Sequence, residues 1–127
     1  MKGIKHFMVL VGIVFWVKSS FGQTKISNSQ FKTLATNTDA VILDVRTPEE
    51  FAEGHINGQA KTLNLNYFAN DFVSKVSAKV KKDQIVLVYC AAGGRSASAC
   101  KDLKKAGFKK IYDLEGGYNN WEWTESS

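Results

Sequence analysis

Proline occurs once in the 127 residues, cysteine twice and histidine twice. A single proline beside ten scattered glycines excludes a proline-rich linker or a collagen-like repeat. Two cysteines are too few for a disulfide-built scaffold. One histidine, His6, lies in the N-terminal run, so only His55 remains downstream, and the carboxylates show no ligand spacing. A metal centre is not expected, and no cofactor motif is present. No apolar stretch reaches the roughly twenty residues needed to span a bilayer. There is no internal repeat and no interior polar tract long enough to be a linker, so one domain is expected.

What is there begins with a distinct N-terminal segment. Lys2 and Lys5 precede Phe7 to Val17, an unbroken apolar run of about eleven residues, the length of a secretory h-region. Lys18 ends it, and Ser20 and Gly22 put small residues where a signal peptidase reads. The expectation is a signal peptide over residues 1–22, cleaved before Gln23, and a periplasmic or secreted chain with no further membrane attachment. The whole chain has 17 basic and 12 acidic residues, a net charge of +5. Lys2, Lys5 and Lys18 account for three of those charges, so residues 23–127 carry about +2, and nucleic acid is not an expected partner.

From Ser27 onward, helical and extended patterns alternate. Ser27 with Gln30 and Thr47 with Glu50 read as capping boxes, the second with Pro48 in the first turn. Ala40 to Val45 and Gln84 to Tyr89 are short β-branched apolar runs of the kind buried in parallel sheets. Thr62 to Leu65 and Lys110 to Leu114 complete the expected strands. Phe68, Phe72, Val73, Val76 and Val80 predict a helix over 67–80. A second helix is expected over 96–106, with Ala97, Cys100 and Leu103 inward, Ser96 as cap and Gly107 at its end. Gly116-Gly117 then turns into a short terminal helix that packs Trp121 into the core. The expected fold is α/β: a mostly parallel sheet of about five short strands with helices on both faces.

In such sheets the ligand site lies beyond the carboxyl ends of the strands. Cys90 follows the strand ending at Tyr89, and Cys90-Ala91-Ala92-Gly93-Gly94-Arg95-Ser96 leads into a helix. Small residues let this loop curl with its N–H groups inward, and the helix adds its positive end. That field favours a thiolate, the nucleophilic form of cysteine. Arg95 supplies a cation for an anionic substrate. Four residues separate Cys90 from Arg95, one fewer than in the phosphate-cradling loop of the tyrosine phosphatases, which disfavours phosphatase or arsenate-reductase chemistry.

These motifs together resemble the rhodanese-homology domain. The resemblance runs through Asp44 to Phe51, Gly54-His55-Ile56 with Gly58, the Cys90 to Ser96 loop, Ala106-Gly107-Phe108, and Leu114 to Gly117 with Trp121. It covers nearly all of residues 23–127. It implies a sulfurtransferase in which Cys90 takes sulfane sulfur from thiosulfate or from a persulfide or polysulfide. Cys90 then passes it to a thiol or cyanide, or to a partner protein in a sulfur relay. A sulfur carrier with little turnover of free donor is the alternative. Catalysis would rest on Cys90 and Arg95, with Ala91, Ala92, Gly93, Gly94 and Ser96 lining the substrate loop. Asp44, Arg46 and His55 are expected to be structural. Cys100 is expected as a small buried hydrophobe, with a resolving thiol as the sharper alternative.

Overall fold

In the computed structural model the structure describes residues 24–123; the expected signal peptide lies outside them. Five parallel strands run through the molecule: β1 (Lys25–Ile26), β2 (Val41–Asp44), β3 (Lys61–Asn64), β4 (Ile85–Tyr89) and β5 (Lys110–Leu114), in the order β1-β5-β4-β2-β3. Four helices connect them: α1 (Asn28–Leu34), α2 (Pro48–Glu53), α3 (Phe72–Lys79) and α4 (Gly94–Lys105). A 3-10 turn follows over Tyr118–Asn120. None of the described helices is long and apolar enough to cross a membrane.

Strand alternation divides the core between the two faces of the sheet. Val41, Leu43, Val86 and Val88 pack with Phe72 and Val76 of α3 and with Ala99, Cys100 and Leu103 of α4. Ile42, Leu87, Tyr89 and Leu114 pack on the other face with Phe31 and Ala35. Because both faces are covered, the central strands are apolar at nearly every position instead of alternating with polar residues. Trp121 is half-buried and meets Phe31 edge-on at 5.4 Å, which closes this second core layer.

Both capping boxes form. Ser27 and Gln30 exchange side-chain and backbone hydrogen bonds at the start of α1, and Thr47 and Glu50 do so at α2. Two local expectations fail, and one strand has no forecast in the sequence. The helix foreseen from residue 67 starts only at Phe72, because the Asn66 side chain accepts from Phe68 N at 3.0 Å and bends the chain; Phe68 is left 69% exposed. The helix foreseen from Ser96 starts at Gly94, and Ser96, Ala99, Cys100 and Leu103 face inward while Ala97 is exposed. Strand β1, two residues long, carries no periodic signal and exists through pairing with Asp113 and Leu114. Gly107 does terminate α4, with φ +103, one residue beyond the C-cap Ala106.

In this strand order the chain leaves β2 outward to β3 and then returns across it to β4, so β2 and β4 flank the point where the winding reverses. The crevice beyond their carboxyl ends is the favoured ligand position. Asp44 ends one of these strands, and Cys90 follows the end of the other.

Candidate active site

Gly93 makes the turn out of β4 possible. Its φ of +116 lies in the left-handed region, where a side chain would be strained, and it is the N-cap of α4. The chain curls back so that two amides converge on the Cys90 sulfur: Gly93 N at 3.1 Å and Ser96 N at 3.3 Å. The remaining first-turn amides, those of Gly94 and Arg95, have no acceptor within the helix. Cys90 is only 1% exposed, Ala91 and Gly93 are half-buried, and Ala92 and Gly94 are exposed at the rim.

Ser96 does not cap the helix. With α4 starting two residues early, its hydroxyl donates to Gly93 O at 3.2 Å and sits 3.5 Å from Cys90 Sγ. Ser96 therefore holds the loop from inside, through its amide and its hydroxyl together.

Arg95 is half-buried and its guanidinium is engaged by Glu50. Nη1 donates to Oε1 at 2.8 Å and Nη2 to Oε2 at 3.1 Å. The guanidinium, against the opposing effect of burial and with help from the Thr47 amide and hydroxyl, holds the Glu50 carboxyl down at about 2. The pair therefore stays ionised through the whole neutral and mildly acidic range. In the sequence Glu50 stands out only as the third-position residue of a capping box. Its partnership with Arg95, 45 residues away, leaves no local signal.

Asp44 and Arg46 form a buried brace beside the loop. Arg46 Nε lies 3.0 and 3.1 Å from the two Asp44 oxygens, and Nη2 lies 2.7 Å from Oδ2. Nη2 also donates to Gly54 O at 2.7 Å. The Tyr89 hydroxyl donates to Asp44 Oδ2 at 2.9 Å and accepts from Ile56 N at 3.0 Å. Burial works against the Arg46 charge, but the Asp44 carboxylate outweighs it and the net shift is upward. Burial likewise raises Tyr89 far above the ordinary phenol range. His55 stacks on Phe51 at 3.7 Å with Nδ1 2.9 Å from Phe51 O. Its ring is committed to α2 and its end, and no hydrogen bond links it to Cys90.

The chain after β5 completes the loop. Tyr118 N donates to Cys90 O at 2.8 Å and Asn119 N to Ala91 O at 2.9 Å. The Tyr118 ring lies 4.3 Å from the Arg46 guanidinium, a cation–π contact that ties this segment to the brace. This approach requires Gly117 (φ +66), where a Cβ would stand 2.6 Å from both carbonyl oxygens. Gly117→Ala should therefore cost about 2–4 kcal/mol from backbone strain and forced displacement. Urea unfolding would measure this, and a loss under about 0.5 kcal/mol, the usual size of a surface change, would show that the loop yields freely.

Two further groups lie beneath α4. Cys100 is buried and free; burial first, then the Asp113 carboxylate, pushes its thiol strongly upward. A resolving thiol needs the thiolate, which this setting opposes. Asp113 is 1% exposed, its Oδ1 lacks a hydrogen-bond partner among the described residues, and burial raises its carboxyl. A groove of about 560 Å³ lined by Lys32, Ala35, Gly58, Trp121 and Trp123 includes no residue of the Cys90 loop. The chemistry, more than the size of any cavity, distinguishes the loop.

The family model of the rhodanese-like domain matches residues 27–123. The thiosulfate sulfurtransferase GlpE of Ectopseudomonas mendocina is 36% identical over 100 residues, covering 79% of this chain and 85% of that one. The mitochondrial protein HIGH ARSENIC CONTENT 1 of Arabidopsis thaliana is 40% identical over 88 residues, covering 62% of this chain; the match spans half of that relative's length. A rhodanese-like domain protein of Staphylococcus aureus has a similar solved structure, with TM-score 0.64 and 28% identity over 79% of this chain and 92% of that one.

Proposed function

The chain belongs to the rhodanese-like domain family, and on that premise we propose that it is a sulfurtransferase working through a persulfide on Cys90. The observation that carries this reading is the convergence of Gly93 N and Ser96 N on the Cys90 sulfur. Fixed N–H dipoles stabilise a sulfur anion without needing to reorganise, as an oxyanion hole does for oxygen.

The cycle has two displacements. Cys90 thiolate attacks the sulfane sulfur of the donor, the new S–S bond forms, and the donor's own S–S bond breaks. From thiosulfate the leaving group is sulfite, which departs with the bonding pair. An acceptor thiolate or cyanide then attacks the outer sulfur and Cys90 leaves as thiolate. Two half-reactions on one nucleophile give ping-pong kinetics. Arg95 is the cation that the donor meets at the loop, and the orphan amides of Gly94 and Arg95 are the donors left for the transferred sulfur. The acceptor is a thiol, cyanide or a partner in a relay. Export remains part of the proposal, supported by the pattern of Lys2, Lys5, Phe7 to Val17 and Gly22.

Intact-mass measurement after incubation with thiosulfate tests the reading. A gain of one sulfur atom, mapped to the Cys90 peptide, is expected. The same spectrum, taken on protein recovered from the producing cell, reports whether the chain begins at Gln23. Loading by polysulfide alone would favour a sulfur carrier. Failure of both donors would sink the sulfurtransferase reading and turn attention to phosphate and arsenate.

A further inference from the structure

The Cys90 loop has a cation, yet the site as a whole has almost no net charge. Arg95 meets Glu50 end-on through both terminal nitrogens. Glu50 is held independently of that contact: Oε1 accepts from Thr47 N at 2.9 Å and from Thr47 Oγ1 at 3.2 Å. The other arginine near the strand ends, Arg46, is closed on Asp44 and 4% exposed. Ala91, Ala92, Gly93 and Gly94 add no charge. Two arginines and two carboxylates therefore cancel around the nucleophile.

An end-on bidentate pair uses one N–H on each terminal nitrogen of the five that a guanidinium carries. Arg95 thus keeps donors for a ligand while Glu50 cancels its charge. That distinction matters to the choice of donor. Thiosulfate is a dianion, and the cost of stripping water from an ion grows with the square of its charge, so it is about four times that of a monoanion. N–H dipoles bind anions of either charge, so it is the larger desolvation cost of the dianion that an uncancelled Arg95 would have to offset.

Resting on the sulfurtransferase reading above, we propose that Glu50 is a specificity-determining residue. By neutralising Arg95 it turns the Cys90 loop toward organic persulfide donors and away from the thiosulfate dianion. With such a donor, Cys90 thiolate attacks the outer sulfur of R–S–SH. The Cys90 S–S bond forms, the donor's S–S bond breaks, and the donor leaves as the thiolate with the bonding pair. Glu50 acts through Arg95 and is not itself a catalytic residue.

The test compares the full chain with Glu50→Gln, loading Cys90 from thiosulfate and from 2-hydroxyethyl persulfide and following persulfide formation by intact mass. Glutamine also serves at the third position of a capping box, so the Thr47 cap and the fold are kept. For an assumed separation of about 6 Å, removing one negative charge beside a dianion at high dielectric is worth about tenfold in rate. The ratio of thiosulfate to persulfide loading rates should rise by that factor. The variant's thiosulfate rate should also fall with added salt more steeply than that of the parent, since an uncovered cation attracts anions through a screened field. An unchanged ratio, or a lowered one, would overturn the proposal and leave Glu50 as a strut for Arg95. Absence of loading in the parent chain with both donors would instead overturn the sulfurtransferase reading itself.

Discussion

Cys90→Ser should abolish sulfur loading and lower turnover at least about a thousandfold, while leaving the fold intact. The substitution is nearly isosteric, and a serine oxygen can still accept from Gly93 N and Ser96 N, so about 1 kcal/mol of stability is at stake. The nucleophile is what disappears. A serine hydroxyl needs an adjacent base to become an alkoxide, and this site offers none: the His55 ring is committed to Phe51 and its carbonyl, and Glu50 is held by Arg95 and Thr47. A thiol is intrinsically the stronger nucleophile and depends far less on such a partner. Intact mass after incubation with donor and steady-state turnover would check both halves. Loading at another residue, Cys100 included, would show that Cys90 is not the sulfur carrier.

Arg46→Met should destabilise the protein by about 3–5 kcal/mol, the usual cost of leaving one partner of a buried ion pair uncompensated. Asp44 is fully buried, and without Arg46 its carboxylate keeps only the Tyr89 hydroxyl and the residue 46 amide as donors. Gly54 O loses its donor as well, and Tyr118 loses the cation beneath its ring. The double change Asp44→Leu with Arg46→Met should recover much of the loss, because the uncompensated charge goes with the carboxylate. Urea midpoints at constant slope would read both values. A single-mutant loss under about 1 kcal/mol would mean that water reaches Asp44 in the variant.

Much of this architecture is written locally. Ser27 with Gln30 and Thr47 with Glu50 specify two helix starts through bonds that span three residues, and the β-branched apolar runs at 40–45 and 84–89 read as buried strands. The family resemblance and the parallel sheet are legible for that reason. What escapes a local reading is set by distant partners. Strand β1 is two residues long and is defined by β5. Ala97 looks as apolar as Ala99, and only the packing of α4 on the sheet decides which faces inward. Ser96 reads as a helix cap because serine often is one; the left-handed Gly93 takes that position instead. The Glu50–Arg95 pair and the approach of Gly117 to the Cys90 carbonyl depend on tertiary proximity, so the residues that tune and brace the loop are the least visible in the sequence.

The hydrogen bonds from Tyr118 and Asn119 to the carbonyls of Cys90 and Ala91 have a consequence in time as well as in space. A chain is made from its amino end, so Cys90 emerges well before the two residues that fasten its loop. Through that interval the thiol belongs to an unfinished polypeptide whose amides have not been locked around it. The loop gains these two bonds only when the turn over Tyr118–Asn120 docks, and a growing or truncated chain that ends before Tyr118 carries the nucleophile without its clasp.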